Sequence, residues 1–267
     1  MAQRYFNWTL AIVLVVGVVV LAAAALSLHK WQRSTLAEEA LPLGEQAFAE
    51  QNWEEAAKQI GRYLTINGDD TVQLLKYGQA QEKIRPSTSS SIQQAIAAYS
   101  TVLRLDAGNV EAAKRLIAIY LSGSPGEAEL KARQFLESYD DPTVRQYLGV
   151  ALIQQRDFPQ AQQTLASLIH DHPDHVTAYE VMGLLAAEHP AEVNQPPNYW
   201  FEEAVRVNPQ SALACIVRGS FLRRSGDRAN ATADFERAAG LDLSDREVHL
   251  RLIGELILAG AYDQARA

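Results

Sequence analysis

Residues 142–175, PTVRQYLGVALIQQRDFPQAQQTLASLIHDHPDH, read as two short amphipathic helices joined by a tight turn, and pieces like this one recur along the chain. The interval is fixed. The step from Gly44 to Gly78 equals that from Gly149 to Gly183 and that from Ala231 to Ala265. Self-similarity at such a period, about 34 residues, points to an array of helical hairpins. A single hairpin cannot bury its apolar face, so such an array is stable only as a stack in which neighbours cover one another.

The recurring residues are a large apolar residue followed by Gly in the first helix, then Ala and a bulky residue in the second. In 142–175 they are Leu148, Gly149, Ala161 and Leu165, with Pro173 in the closing turn. The first repeat, 37–70, has Leu43, Gly44, Ala56 and Ile60, with Trp53 in the turn. The second, 71–109, has Tyr77, Gly78, Ala95 and Tyr99; the third, 110–141, has Leu116, Ile117, Ala128 and Phe135. The fifth, 176–211, carries Met182, Gly183, Phe201 and Pro209, and the sixth, 212–245, carries Gly219, Gly226, Ala231 and Phe235. A partial seventh, 246–267, has Leu252, Tyr262 and Ala265. Extra residues at 85–91, 122–126 and 189–198 fall between the two helices of their repeats. Pro42 is expected to begin the first helix, because proline is tolerated only in a first turn.

These spacings resemble tetratricopeptide repeats, and the likeness covers residues 37–267. It implies an all-α fold, a right-handed α-solenoid of helix hairpins over residues 42–267. The small residues let two antiparallel helices approach, and the bulky one fills the space beside them. The resemblance also implies that the first helix of each repeat lines a concave groove. On that face it places Lys76, Lys83, Lys114 and Arg115, then Tyr147, Val150, Ile153, Leu184, Ile216 and Val217, edged by Glu180, Arg223 and Arg224. A basic entrance leading to an apolar floor suits an extended or helical peptide with an acidic end. Some members of the family hold a carboxylate in a clamp of Lys, Asn and Arg. Here Leu41, Glu45, Lys76, Glu111 and Arg115 occupy those positions, so the clamp is not expected.

Ahead of the repeats, Thr9 to Leu28 is an uncharged apolar run bracketed by Tyr5, Phe6, Trp8 and Trp31. Twenty helical residues span about 30 Å, the hydrocarbon thickness of a bilayer. The expected layout is therefore a tail at 1–8, a transmembrane signal-anchor helix at 9–28 and a juxtamembrane linker at 29–41. That makes the chain a single-pass protein of a bacterial inner membrane with its array outside the cytoplasm. Cleavage as a signal peptide is the rival reading.

The net charge of −8 argues against general nucleic-acid binding, which draws its affinity from Lys and Arg on phosphates. His170, Asp171, His172, Asp174 and His175 resemble a metal cluster, but they fall in a repeat's closing turn, and no two of the histidines have the i, i+4 spacing of a helical metal face. Cys215, the single cysteine, is expected to be buried. Phosphate-loop, nucleophile-elbow and zinc-helix motifs are absent from the sequence, so no catalytic residue, metal or cofactor is assigned. The expectation is a non-catalytic, membrane-anchored scaffold that binds a protein or peptide and supports a membrane-associated complex. The alternative is the regulatory or targeting part of a larger protein whose catalytic domain lies beyond residue 267. The apolar helix of the seventh repeat favours such a longer chain, or a partner at that end.

Overall fold

The computed structural model describes residues 36–261 together with Gly17 and Leu21. Among them every regular element is a helix. α1 occupies 36–49, followed by α2 (Trp53–Leu64), α3 (Thr71–Lys83), α4 (Ser89–Leu105), α5 (Val110–Leu121) and α6 (Pro125–Leu136). Then come α7 (Pro142–Gln154), α8 (Phe158–Asp171), α9 (Val176–Glu188), α10 (Pro197–Val207), α11 (Ala212–Arg224), α12 (Arg228–Ala239) and α13 (Arg246–Ala259). Odd-numbered helices are the first (A) and even-numbered the second (B) of each repeat. The chain groups into two compact units, Met1–Ala112 and Ala113–Ala267.

The helix starts are written in the sequence. Asn52, Asp70, Asp141, Asp157, Ser211 and Asp227 each turn a side-chain oxygen onto the backbone N–H three residues on, capping orphan donors. Where no insert intervenes, the A–B turn closes in the same way each time. The N–H groups of Asn52, Asp157 and Asp227 reach back to the carbonyls of Ala47, Leu152 and Leu222 at 2.8–2.9 Å. That is the closure of a Schellman turn, and it puts the preceding residue in the left-handed region. Gly226 takes φ +90° there without strain, whereas Gln51 and Arg156 adopt about +60° despite a side chain.

Packing within a repeat follows from the residue pairs of the pattern. A Cβ added to Gly44, Gly78, Gly149, Gly183 or Gly219 would come within 2.8 Å or less of Ile60, Tyr99, Leu165, Phe201 or Phe235 respectively. The glycine is a socket for the bulky side chain of the same hairpin. Ala56, Ala95, Ala161 and Ala231, in the second helices of these hairpins, are buried, as is Ala128 in repeat three, where Ile117 replaces the glycine. In the second unit consecutive A helices touch, α7 with α9, α9 with α11 and α11 with α13, so the hairpins stack. At the last helix, Leu252 and Leu256 are buried against α11 and α12, while Leu250, Ile257 and Leu258 face outward. Trp53 opens α2 and meets Phe48 edge-on at 5.4 Å.

Three expectations change. The first helix does not start at Pro42: it runs from 36, through residues expected to be linker, and buries Ala37 and Ala40 upstream of the proline. That packing offsets the hydrogen bond an interior proline removes. The repeats, expected as one array, fall into two units. The assignment to a single-pass membrane protein is also corrected. Among the described residues no helix is long and apolar enough to cross a membrane. α4, at 17 residues, spans about 26 Å and is amphipathic. Apart from Gly17 and Leu21, the run at 9–28 lies outside the described residues.

Candidate functional site

The A helices project the residues singled out from the sequence, and the structure sorts them into three kinds. The first kind is spent on ion pairs. Lys76 Nζ lies 2.6 Å from Glu45 Oε1, which also accepts from Gln73 Nε2 at 2.9 Å. The Lys76 hydrogen bond, with help from Gln73, holds the Glu45 carboxyl below the usual carboxylate range. Lys114 Nζ is 3.3 Å from Asp141, the N-cap of α7. Arg223 Nε is 3.0 Å from Glu255 Oε2, and both oxygens of Glu180 accept from Arg251. Apart from Lys114–Asp141, these pairs tie one repeat to another. The expected basic entrance is therefore corrected at Lys76 and Lys114, whose charge is balanced within their own units.

The second kind is core. Ile216 is fully buried among Cys215, Phe235, Leu252 and Leu256, and Val217 is fully buried against Val176, Tyr179 and Phe201. Ile216 and Val217 are thus removed from the groove. On a helix flanked by two others at close range, residues at both edges of its inner face are covered by the neighbours. Cys215 is fully buried, and desolvation raises the pKa of its thiol.

The third kind remains as surface. Tyr147, Val150, Ile153 and Leu184 are half-buried on α7 and α9, Arg115 is half-buried on α5, and Lys83 and Arg224 are exposed in the last turns of α3 and α11. Ile153 and Leu184 also pack partly against buried neighbours. In the second unit the Glu180–Arg251 pair joins α9 to α13 across the intervening α11. Two side chains from non-adjacent helices meet only if the A-helix face curves inward there.

The histidine-rich turn disperses its side chains. His172 Nε2 lies 3.6 Å from Asp140, while Arg145 bridges Asp140 and Asp171 at 2.5 and 2.6 Å. His175 Nε2 is 2.7 Å from Gln146 Oε1, which also accepts from Thr177 Oγ1 at 2.6 Å. No group of three or more His, Cys, Asp or Glu side chains able to hold a metal occurs among the described residues. Burial pushes the His175 imidazole pKa down, against the opposing pull of Asp141 and Asp174. A folded-state pKa below the ordinary value of about 6.5 makes the neutral ring part of the fold's stability. That contribution is present above pH ~6.5 and is lost as pH falls through the folded pKa, because the unfolded chain takes up the proton first. The melting temperature is expected to drop between about pH 7.5 and pH 5, and the drop should shrink in His175→Gln. An unchanged slope in that variant would assign the pH dependence elsewhere.

Sequence reasoning missed the acceptors and donors opposite the chosen residues: Glu45, Asp141, Arg251 and Glu255. All but Asp141 lie on A helices, one or two repeats away from their partners. It also missed Arg218, which donates from Nε and Nη2 to the two carboxylate oxygens of Asp234 at 2.7 and 2.5 Å. A signal was available there, since Arg218 stands where other repeats carry Leu, Tyr or Met.

No family model matches the sequence, and no curated protein matches it. Solved structures do resemble the fold. A tetratricopeptide repeat protein from Parabacteroides merdae superposes with a TM-score of 0.55 at 14% identity, covering 86% of this chain and 90% of that one. MamA superposes at 0.54 and 15% identity, covering 66% and 93%. PilW, a widely conserved type IV pilus biogenesis factor, superposes at 0.52 and 12% identity, covering 81% and 98%. At such identities the likeness concerns the fold alone: the chain folds as tetratricopeptide-repeat proteins do, into an α-solenoid of paired helices.

Proposed function

We propose that the chain is a non-catalytic scaffold that holds a protein or peptide segment against the A-helix face of its second unit. The observation that carries this reading is the Glu180–Arg251 bridge over α11, which marks an inward-curved face. Tyr147, Val150, Ile153 and Leu184 present half-buried apolar surface on the A helices α7 and α9 of the same unit. An apolar strip flanked by charge suits a segment with alternating apolar and polar side chains, held by side-chain pockets along a helix-lined groove. The fold's likeness to tetratricopeptide-repeat structures supports a protein-interaction role.

A photo-crosslinking residue placed at Val150 or Leu184 tests this against the same residue at Gln163 or Ser167, which are exposed on the B helix α8. Discrete adducts in extracts of the source cells are expected from the A-face sites alone. Leu184→Arg should reduce adduct yield at Val150 by about tenfold, the effect of placing an unpaired charge in an apolar contact. Equal labelling from both faces, or indifference to Leu184→Arg, would place the binding surface elsewhere.

A further inference from the structure

Repeat six departs from its neighbours at one point in the second unit. Where repeats three, four and five place Leu116, Leu148 and Met182, all buried, repeat six places Arg218. Its partner Asp234 has a side chain only 5% exposed, against 27% for Arg218. Beside this pair lies a cavity of about 290 Å³ between α10, α11 and α12. Two of its walls are B helices, so it is separate from the A-helix face.

The chemistry of the lining selects the occupant. Arg218 and Asp234 neutralise each other, leaving the exposed Glu202 carboxylate as the net charge. Asn230 commits its Nδ2 to Asp227 at 2.7 Å, and Asn198 turns its Nδ2 toward Glu202 at 3.5 Å, so both amides offer carbonyl oxygens. Phe221, stacked at 4.3 Å on the buried Phe201, supplies an aromatic wall. Acceptors, negative charge and a ring together match a guanidinium, which carries only donors and stacks on aromatic faces. The space would hold on the order of ten waters, ample for one such side chain. The chain's net charge of −8 also draws basic partners.

We propose that this cavity is a second binding site, taking an arginine side chain of a protein partner. The guanidinium forks onto Glu202, donates to Asn230 Oδ1 and lies against Phe221. The site stands or falls independently of the A-helix face.

The test is a titration of the isotope-labelled full chain, followed by amide NMR, with a blocked Gly/Ala pentapeptide carrying one central arginine. Parallel titrations use the citrulline and glutamate counterparts and free arginine. Saturable shifts at Phe221 and Ala233 are expected with the arginine peptide, weakening as salt rises. Citrulline, which keeps the shape and loses the charge, should bind about tenfold more weakly or worse. Glu202→Gln should weaken the arginine peptide similarly while leaving the melting temperature unchanged, since Glu202 is exposed. Absence of shifts, or equal binding of citrulline, overturns the proposal. So does preference for the glutamate peptide, which would make Arg218 the anchor of an anion site. Tighter binding of free arginine than of the peptide overturns the assignment to a protein partner.

Discussion

Phe201→Ala should lower the stability of the second unit by about 3–5 kcal/mol, the range for removing a fully buried aromatic side chain. Three observations place this residue among the most sensitive. It is completely buried, it fills the socket at Gly183 so closely that an added Cβ would meet its ring at 2.6 Å, and it stacks on Phe221 at 4.3 Å. It also contacts the α9 and α11 layers through Tyr179 and Val217, so its loss opens a void between hairpins as well as within one. In a unit of this size the melting temperature, followed by far-UV circular dichroism, should fall on the order of 10 °C. Phe201→Leu should recover part of the loss because it keeps some of the volume. A change below about 1 kcal/mol for Phe201→Ala would mean that neighbouring hairpins collapse into the space.

Gly78→Val is the complementary experiment in the first unit, adding volume where Phe201→Ala removes it. A Cβ at Gly78 would lie 2.5 Å from Tyr99 Cε1 and 2.7 Å from Cζ. Tyr99 is fully buried, and its hydroxyl donates to Glu82 at 2.9 Å, so the ring cannot retreat without breaking that bond. Valine gains roughly 0.4 kcal/mol of helix propensity over glycine. Overpacking costs about 1–3 kcal/mol, and the displaced hydroxyl adds to it. Packing wins, and a net loss of about 2 kcal/mol is expected. Hydrogen exchange of the α3 and α4 amides reads the effect in this unit, with protection factors falling more than tenfold. Gly78→Ala combined with Tyr99→Leu should restore protection, because the smaller side chain vacates the socket. If the double variant exchanges as fast as Gly78→Val, the clash is not with Tyr99.

Much of the fold was legible because it is local. Each glycine and its bulky partner belong to the two helices of one hairpin, and the capping Asn, Asp and Ser residues act on their own helix starts. The candidate site was legible only in part. Position along the repeat marked Ile216 as groove-facing, yet α11 is flanked so closely by α9, α12 and α13 that it is fully covered. Lys76 and Lys114 appeared as a basic entrance. Their partners, Glu45 from the preceding repeat and Asp141 at the N-cap of α7, balance those charges. Arg218 was the opposite case: its departure from an apolar register was visible in the sequence, and only its pairing with Asp234 and the cavity beside them gave it meaning.

The order of amino acids alone dictates the helices, their caps, the glycine sockets and the succession of hairpins. Each of these rests on a periodicity or a contact within the length of one repeat. Which face is open, which charges are already balanced and where the A-helix surface bends inward emerge only on folding. Those properties depend on side chains from different repeats meeting. The bridge from Glu180 to Arg251, 71 residues apart, is the clearest instance. No local pattern encodes it, because it exists only once three A helices are stacked.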